Sequence, residues 1–429
     1  MAATNAVNSN GQGGEGEKEG VDTLKVRDAK DVEQAVREAV ASEQPLEIIG
    51  HGSKRLIGQP MATNAVLDLS ALSSVTSYEP NELIVTVQAG APLADVQSLI
   101  DSKNQQFAFE PVNTAALLGT PELGTIGGMI GAGLAGPRRI KAGGARDHLL
   151  GANAVSGFGD SFKAGGKVVK NVTGYDLCKL LAGSWGTLAV MTEVTLKVMP
   201  RPESERTLVL RGLDAIVANR AMTAALGSPF DVSGAAHLPN SALRSEACGL
   251  GAGREALTLL RLEGITVSAA HRAAALAEVL APFGSAQILD DAASAQAWSS
   301  IRDVIPFAAS GALGGSPVWR IVCPPATGGA LGEQLARDTG GEVIYDWGGG
   351  LIWAALPSTP DAQAGLVRQR VEAAFGHATL IRAPEQVRRN VDVFHPQPGG
   401  LADLSERVRL SFDPKTILNR GRLTRGLAA

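Results

Sequence analysis

The chain has 429 residues, 45% of them hydrophobic and 19% charged, with 51 glycines and a formal net charge of -4 at pH 7. That length admits two or three domains, each with its own core, and the mild acidity argues against a general nucleic-acid binder, which needs a basic surface to displace counterions. Cys178, Cys248 and Cys323 are widely separated, which rules against a disulfide scaffold and against the spacing of a zinc site or an iron–sulfur cluster.

The opening "MAATNAVNSNGQGGEGEKEG" is polar and Gly-rich and reads as a disordered tail. With no hydrophobic leader before it, a cytoplasmic setting is expected, and no apolar run is long enough to cross a bilayer, which leaves membrane contact to a partner. Asp31 to Ala41 reads as a helix with Val32, Ala35, Val36, Ala39 and Val40 on one face. "LEII" at 46–49 reads as a strand running into the turn "GHGSK", and "AVLDL" and "LIVTV" read as further strands. After Pro92 an amphipathic helix is expected on Leu93, Val96, Leu99 and Ile100. Gly119 to Gly166 lacks helical periodicity and is expected to be a long shaped loop region crossed by one strand, "LLGANAV". Thr187 to Val198 alternates as a half-buried strand does, and "MPRPESE" marks a domain boundary. Beyond it, strands at Thr207 to Leu210, "VWRIV", "EVIYDW" and "LIWAAL" are expected. Together with helices at Ala215 to Leu226, Val267 to Leu280, Leu331 to Arg337 and Ala362 to Phe375 they suggest an antiparallel sheet with helices on one face. An amphipathic piece, Leu401 to Leu410, leads into "FDPKTILNRGRL".

The stretch "GTIGGMIGAGLAGPRR" contains G-x-G-x-x-G at Gly131, Gly133 and Gly136. A dinucleotide fold of the Rossmann type needs a buried strand before that pattern and an apolar-faced helix after it, and the flanks "LGTIGGMI" and "PRRIKAGGARD" supply neither. The turns "GHGSK" and "GTIGG" can instead line up backbone N–H groups for phosphate oxygens. Gly50 and Gly52 would permit the positive φ that aims amides inward and Ser53 adds a hydroxyl, while Thr125, Gly127 and Gly128 would do the same from the opposite side. The bland alternative is two tight turns.

A third stretch, "GGKVVKNVTGYDLCKLLAGSWGTLAVMTEVTLKVMPRP", joins these loops and "GARDHLLGANAV" into a pattern that resembles flavoproteins of the vanillyl-alcohol-oxidase type, and within them the FAD-binding subunits of glycolate oxidase complexes. The resemblance implies an α+β chain. A PCMH-type FAD-binding domain of two α/β subdomains would span 21–202, an α+β cap domain with an antiparallel sheet and helices 203–400, and a segment returning to the flavin 401–429. It implies that Gly50, His51, Gly52, Ser53, Thr125, Gly127 and Gly128 contact the FAD pyrophosphate and that Gly186, Thr187 and Val190 pack around the adenosine portion. It also implies that Lys170, Asn171, Thr173, Gly174 and Tyr175 pass near the flavin, with Asn419 and Arg422 approaching from the C-terminus. On the residues alone, the alternative for Lys170 is a solvated cation and for Tyr175 a core aromatic with its hydroxyl satisfied.

Some members of this group attach FAD through a histidine directly after the second glycine of the first loop; here that residue is Ser53, so non-covalent FAD is expected. His51, His148, His237, His271, His377 and His395 form no H-x-x-x-H cluster, so no metal site is expected. Where relatives have "NPG", this chain has Asn419, Arg420 and Gly421. Arg138, Arg139, Lys141 and Arg146 could neutralise a diphosphate, keep a loop soluble, or dock a partner.

The resemblance implies oxidation of a 2-hydroxy acid such as glycolate, with electrons passing through flavin to a sister catalytic flavoprotein subunit and an iron–sulfur subunit, and location in the cytoplasm, peripheral to the inner membrane through that complex. No catalytic base is identified by the sequence. The alternatives are a non-catalytic flavin-binding assembly subunit and a stand-alone flavin oxidoreductase of the same fold.

Overall fold

The computed structural model describes residues 22–61, 63, 65–121, 123–166, 174–243 and 255–425. Its N-terminal part carries a small parallel sheet of β1 (Asp22–Lys25), β2 (Leu46–Ile49) and β3 (Ala65–Asp68), in the order β1-β3-β2. The connecting helix Ala29–Ser42 starts where Asp28 accepts from the backbone N–H groups of Lys30 and Asp31, each at 2.9 Å. Val32, Ala35, Val36 and Ala39 are buried, so the three- and four-residue spacing read from the sequence is the packed face.

A five-stranded antiparallel sheet follows, ordered β4-β5-β9-β7-β8. Its members are β4 (Val75–Glu79), β5 (Ile84–Gln88), β7 (Leu149–Ser156), β8 (Ser161–Gly165) and β9 (Ala189–Lys197). The short strands β6 (Gln105–Gln106) and β10 (Met199–Pro200) pair as a separate antiparallel two-stranded sheet. The helix Leu93–Asp101 lays Leu93, Val96 and Ile100 on the core formed by Val85, Val87, Val194 and Leu196. Val155 and Val190 join the core of the small parallel sheet, and the two sheets are thereby packed on each other.

The expected loop between Gly119 and Gly166 contains a helix, Ile126–Ala132. Glycine in two of its first three positions hid it from periodicity, yet Gly127 has to be small, because a Cβ there would stand 2.8 Å from the Ala89 side chain. Gly131 lies near the end of this helix and Gly133 caps it, so the G-x-G-x-x-G match leaves a helix and opens none.

The C-terminal half is built on an eight-stranded antiparallel sheet of β11 (Ser204–Arg211), β12 (Val232–Leu238), β13 (Leu257–Gly264), β14 (Gln287–Leu289), β15 (Val318–Val322), β16 (Glu342–Asp346), β17 (Leu351–Ala355) and β18 (His377–Arg382). The order is β14-β11-β13-β12-β16-β17-β15-β18, and the two halves meet at the His237–Tyr345 pair. One face is covered by the helices Ala215–Leu226, Thr266–Val279, Gly328–Thr339 and Ala364–Ala373, as apolar clusters around Leu260 and Leu335 show. The other face turns Val209, Ala236, Trp353 and Ile381 toward Ile57, Leu117 and Leu118 of the N-terminal half and toward Trp298 and Ile301. The two halves are also tied by buried charge. Glu110 accepts from both terminal nitrogens of Arg261 at 2.9 Å, and Arg138 reaches Glu263 at 2.6 Å and Glu110 at 3.1 Å.

After the helix Gly399–Phe412 the chain returns to the first sheet. Fully buried Asp413 accepts from the Ile417 and Leu418 amides at 3.0 and 2.8 Å, and Leu418 then lies parallel to Leu46 on the free edge of β2.

Candidate functional site: a cleft built by three returning segments

The end of β2, the start of the helix Ile126–Ala132 and the C-terminal return converge on one cleft, which encloses about 740 Å³ of space including its mouth. Gly50, His51, Gly52, Ser53, Thr125, Gly127, Gly128, Gly186, Asn419 and Arg422 all line it. These ten of the seventeen residues named from the sequence are thus brought together from positions up to 372 apart in the chain.

The geometry of the two glycine turns differs from the nest expected of them. In the first turn Gly52 adopts a positive φ, at 68°, and Gly50 does not; in the second it is Gly124, at 90°, and neither Gly127 nor Gly128. Gly50 is required for a different reason, because a Cβ on it would fall 2.5 Å from Thr125 Oγ1, so its lack of a side chain lets the two turns touch. On the far side the amides from Ile126 to Gly128 are already committed. Ile126 N donates to Ala91 O at 2.9 Å, Gly127 N to Ala89 O at 2.7 Å and Gly128 N to Thr125 Oγ1 at 3.2 Å. Donors are left over in the first turn, where the amides of Gly52, Ser53 and Lys54 have no acceptor among the described residues.

Charge points the same way. Lys54, unmarked by sequence reasoning, lines the cleft with no carboxylate partner among the described residues; burial, with Arg422 beside it, holds its ammonium down at about 8. Arg422 is itself brought down to about 10 by burial, and its Nε is buried without a hydrogen bond. Its Nη2 donates to Lys54 O at 2.7 Å. The nearby acid, Glu47, is engaged by Arg55 Nε at 2.8 Å. Two adjacent cations and a row of idle amides, with no carboxylate among the described residues in an ion pair with either cation, fit a bound diphosphate. Leu69, Ala89, Met191 and Trp185 give the apolar walls that a flat ring system requires.

Asn419 holds this arrangement together. Its Oδ1 accepts from Ile48 N at 2.8 Å, its Nδ2 donates to Trp185 O at 2.7 Å, and its own amide donates to Leu46 O at 2.9 Å. It does so with φ at 44°, a conformation asparagine tolerates better than most residues, and the proline missing beside it leaves these contacts intact. Trp185, at φ 55°, is held by Gly131 O as well, and its ring meets Phe394 and the Arg422 guanidinium. Trp185 was the larger omission from the sequence reading, since a tryptophan inside a glycine-rich run carries no signal of which wall it forms.

The remaining named residues stand elsewhere. Thr187 turns its hydroxyl to Ser184 O at 2.7 Å, and Val190 is in the core between the sheets. Gly174 and Tyr175 are exposed, Tyr175 to 92%, outside both the core and the cleft lining. Lys170, Asn171 and Thr173 lie outside the described residues. The basic run is also spent away from the cleft: Arg138 is in the buried network with Glu263, Lys141 pairs with Asp231, and Arg139 lies 4.4 Å from the centre of the Trp347 ring. Among the described residues no group of three or more His, Cys, Asp or Glu is placed to hold a metal ion, and no helix is long and apolar enough to cross a membrane.

The family described as FAD binding domain matches residues 23–165, which include both glycine turns. Glycolate oxidase subunit GlcE of Escherichia coli (strain K12) is 31% identical over 393 residues, covering 91% of this chain and 95% of that protein. Glycolate oxidase subunit GlcD of Bacillus subtilis (strain 168) is 34% identical over 173 residues, 40% of this chain and 35% of that one. Among solved structures, p-cresol methylhydroxylase with substrate bound superposes with a TM-score of 0.69 over 95% of this chain and 89% of its own, at 13% identity, a likeness of fold. With its cleft and its fold accounted for in this way, the chain belongs to the FAD-binding oxidoreductases of the GlcE family, and FAD is its cofactor.

Proposed function

We propose that this chain is the FAD-binding subunit of a glycolate-type 2-hydroxy-acid dehydrogenase complex, working beside a sister catalytic flavoprotein subunit and an iron–sulfur subunit. Residues 21–202 form its FAD-binding unit, 203–400 its cap and 401–429 the closing segment, and its location is cytoplasmic, reaching the inner membrane only through the complex. Oxidation of a 2-hydroxy acid to its 2-oxo acid removes two electrons and two protons, and FAD supplies the two-electron acceptor. The chain's part is to bind and orient. Lys54, Arg422 and the idle amides from Gly52 to Lys54 take the diphosphate, Asn419 locks the closing segment onto β2, and Trp185 separates the cleft from the cap. Ser53 follows Gly52, so FAD is held without a covalent bond.

The observation that carries this reading is the likeness to a glycolate oxidase subunit across 95% of that protein's length, cap included. The test is anaerobic addition of glycolate or D-lactate to the flavin-loaded chain, alone and co-expressed with the other two subunits. Bleaching of the flavin absorbance in the assembled complex is expected; an assembled complex whose flavin is never reduced by any 2-hydroxy acid would remove the proposal. Bleaching in the isolated chain would place substrate turnover on this subunit itself.

A further inference from the structure

A second cavity abuts the cleft and shares Ala132 and Trp185 with it. Its far wall is the outer edge of the cap sheet, where β15 and β18 pair Arg320 with Thr379 and Val322 with His377. These positions alternate with Trp319 and Ile321, which point into the helix-covered core. Arg320, Thr379 and His377 therefore face the FAD-binding half, and all three line the cavity with His395.

The charge here is unbalanced. The Arg320 side chain makes no hydrogen bond or ion pair among the described residues; its guanidinium lies 5.1 Å from the Trp347 ring centre, the same ring that Arg139 approaches at 4.4 Å. No ion pair of the Arg139 side chain occurs among the described residues either. The acid beside the pair, Asp346, is fully enclosed and pushed up to about 7 by that burial, so it is only a partial counter-charge. Burial lowers Arg320 to about 10, with Arg139 adding to the effect, and it stays cationic at neutral pH. His395 Nδ1 accepts from Arg368 Nη1 at 3.0 Å and from Ala378 N at 3.3 Å, which puts its proton on Nε2. Burial lowers both His377 and His395, so the imidazoles add hydrogen-bonding capacity more than charge.

A guanidinium with no ion-pair partner and only a partly charged acid beside it, on a sheet face and ringed by a hydroxyl and imidazoles, is built to receive a planar anion bidentately. We propose that this cavity is a carboxylate subsite, with Arg320 as the anchor and Thr379 and His377 hydrogen-bonding the remaining oxygens of a small 2-hydroxy carboxylate. The anion chemistry stands on the cavity alone; the choice of a 2-hydroxy acid rests on the proposed function. The subsite lies against Trp185, the wall of the FAD cleft, so its occupant borders the cofactor site.

The test is calorimetric titration of the flavin-loaded protein with oxalate, a redox-inert carboxylate, and with neutral ethylene glycol, while tryptophan fluorescence reports on the site. Saturable binding of oxalate and none of ethylene glycol is expected. Arg320→Met should weaken oxalate by at least about tenfold with flavin content unchanged, since a charge-assisted ion pair is lost. Thr379→Val should weaken it by a few fold, and this near-isosteric change keeps the test open should Arg320→Met fold poorly. Failure of the wild-type protein to bind oxalate, or binding undiminished in both variants, would overturn the subsite. A protein that binds oxalate through Arg320 yet takes up no FAD would support the subsite while removing the proposed function.

Discussion

Asn419→Ala should unfasten the closing segment from the cofactor cleft. The side chain satisfies two partly buried backbone groups, Ile48 N–H at 2.8 Å and Trp185 C=O at 2.7 Å, and Asn419 is only 3% exposed. A buried polar group left without a partner costs roughly 1–3 kcal/mol, so the pair costs roughly 2–6 kcal/mol before relaxation or water entry. Alanine at φ 44° adds about 1 kcal/mol or more of left-handed backbone strain. Asn419→Gly removes the same two bonds without that strain, so the two variants separate side-chain from backbone contributions. Urea denaturation of the flavin-loaded protein, followed by far-UV circular dichroism and by flavin fluorescence, reads both effects. Asn419→Ala should lose at least about 2 kcal/mol, Asn419→Gly somewhat less, and both should release FAD more readily. Wild-type stability and FAD retention in Asn419→Ala would show that these bonds do not fix the cleft.

Other consequences are as direct. Gly50→Val should abolish FAD uptake while leaving most of the fold, because its Cβ would meet Thr125 Oγ1 at 2.5 Å; dialysis against FAD followed by absorbance measures this. Arg261→Met should destabilise the protein by about 3–5 kcal/mol in chemical denaturation, since Glu110 and Glu263 lose the fully buried cation that pairs with them. Asp346 has its pKa raised in the folded state by burial, so the fold holds a proton that the unfolded chain gives up, and stability falls as pH rises from about 4 to about 7. Asp346→Asn should remove up to about 1.4 kcal/mol per pH unit of that slope in denaturation midpoints across the window, and an unchanged slope would show that another group titrates there.

Much of the architecture was legible where one face of an element is buried and the other wet. The helix Ala29–Ser42 announced itself because Val32, Ala35, Val36 and Ala39 repeat at helical spacing against polar neighbours. The strands β12 and β13 did not, since both are buried on each face: "VSGAAHL" is small-residue backbone and "LTLLRLEG" a nearly continuous apolar run, so neither alternates. The helix Ile126–Ala132 was invisible for the converse reason, its glycines being demanded by packing against Ala89. Of the cleft, the glycine turns and the C-terminal return could be read, because a backbone that must come close to another backbone or a ligand excludes side chains. Lys54 and Arg320 could not be read as site residues. A lone cation in a sequence looks like surface, and only the fold shows that each lines a cavity with no ion-pair partner among the described residues.

The central claim is that three separated segments build one cleft for FAD. Its most direct test is reconstitution of the purified protein with FAD, measuring stoichiometry by absorbance and release of the flavin by acid precipitation. About one FAD per chain, freed into the acid supernatant and lost in a Lys54→Met, Arg422→Met double variant that still folds, is expected. A folded wild-type protein that stays colourless with excess FAD would contradict the account.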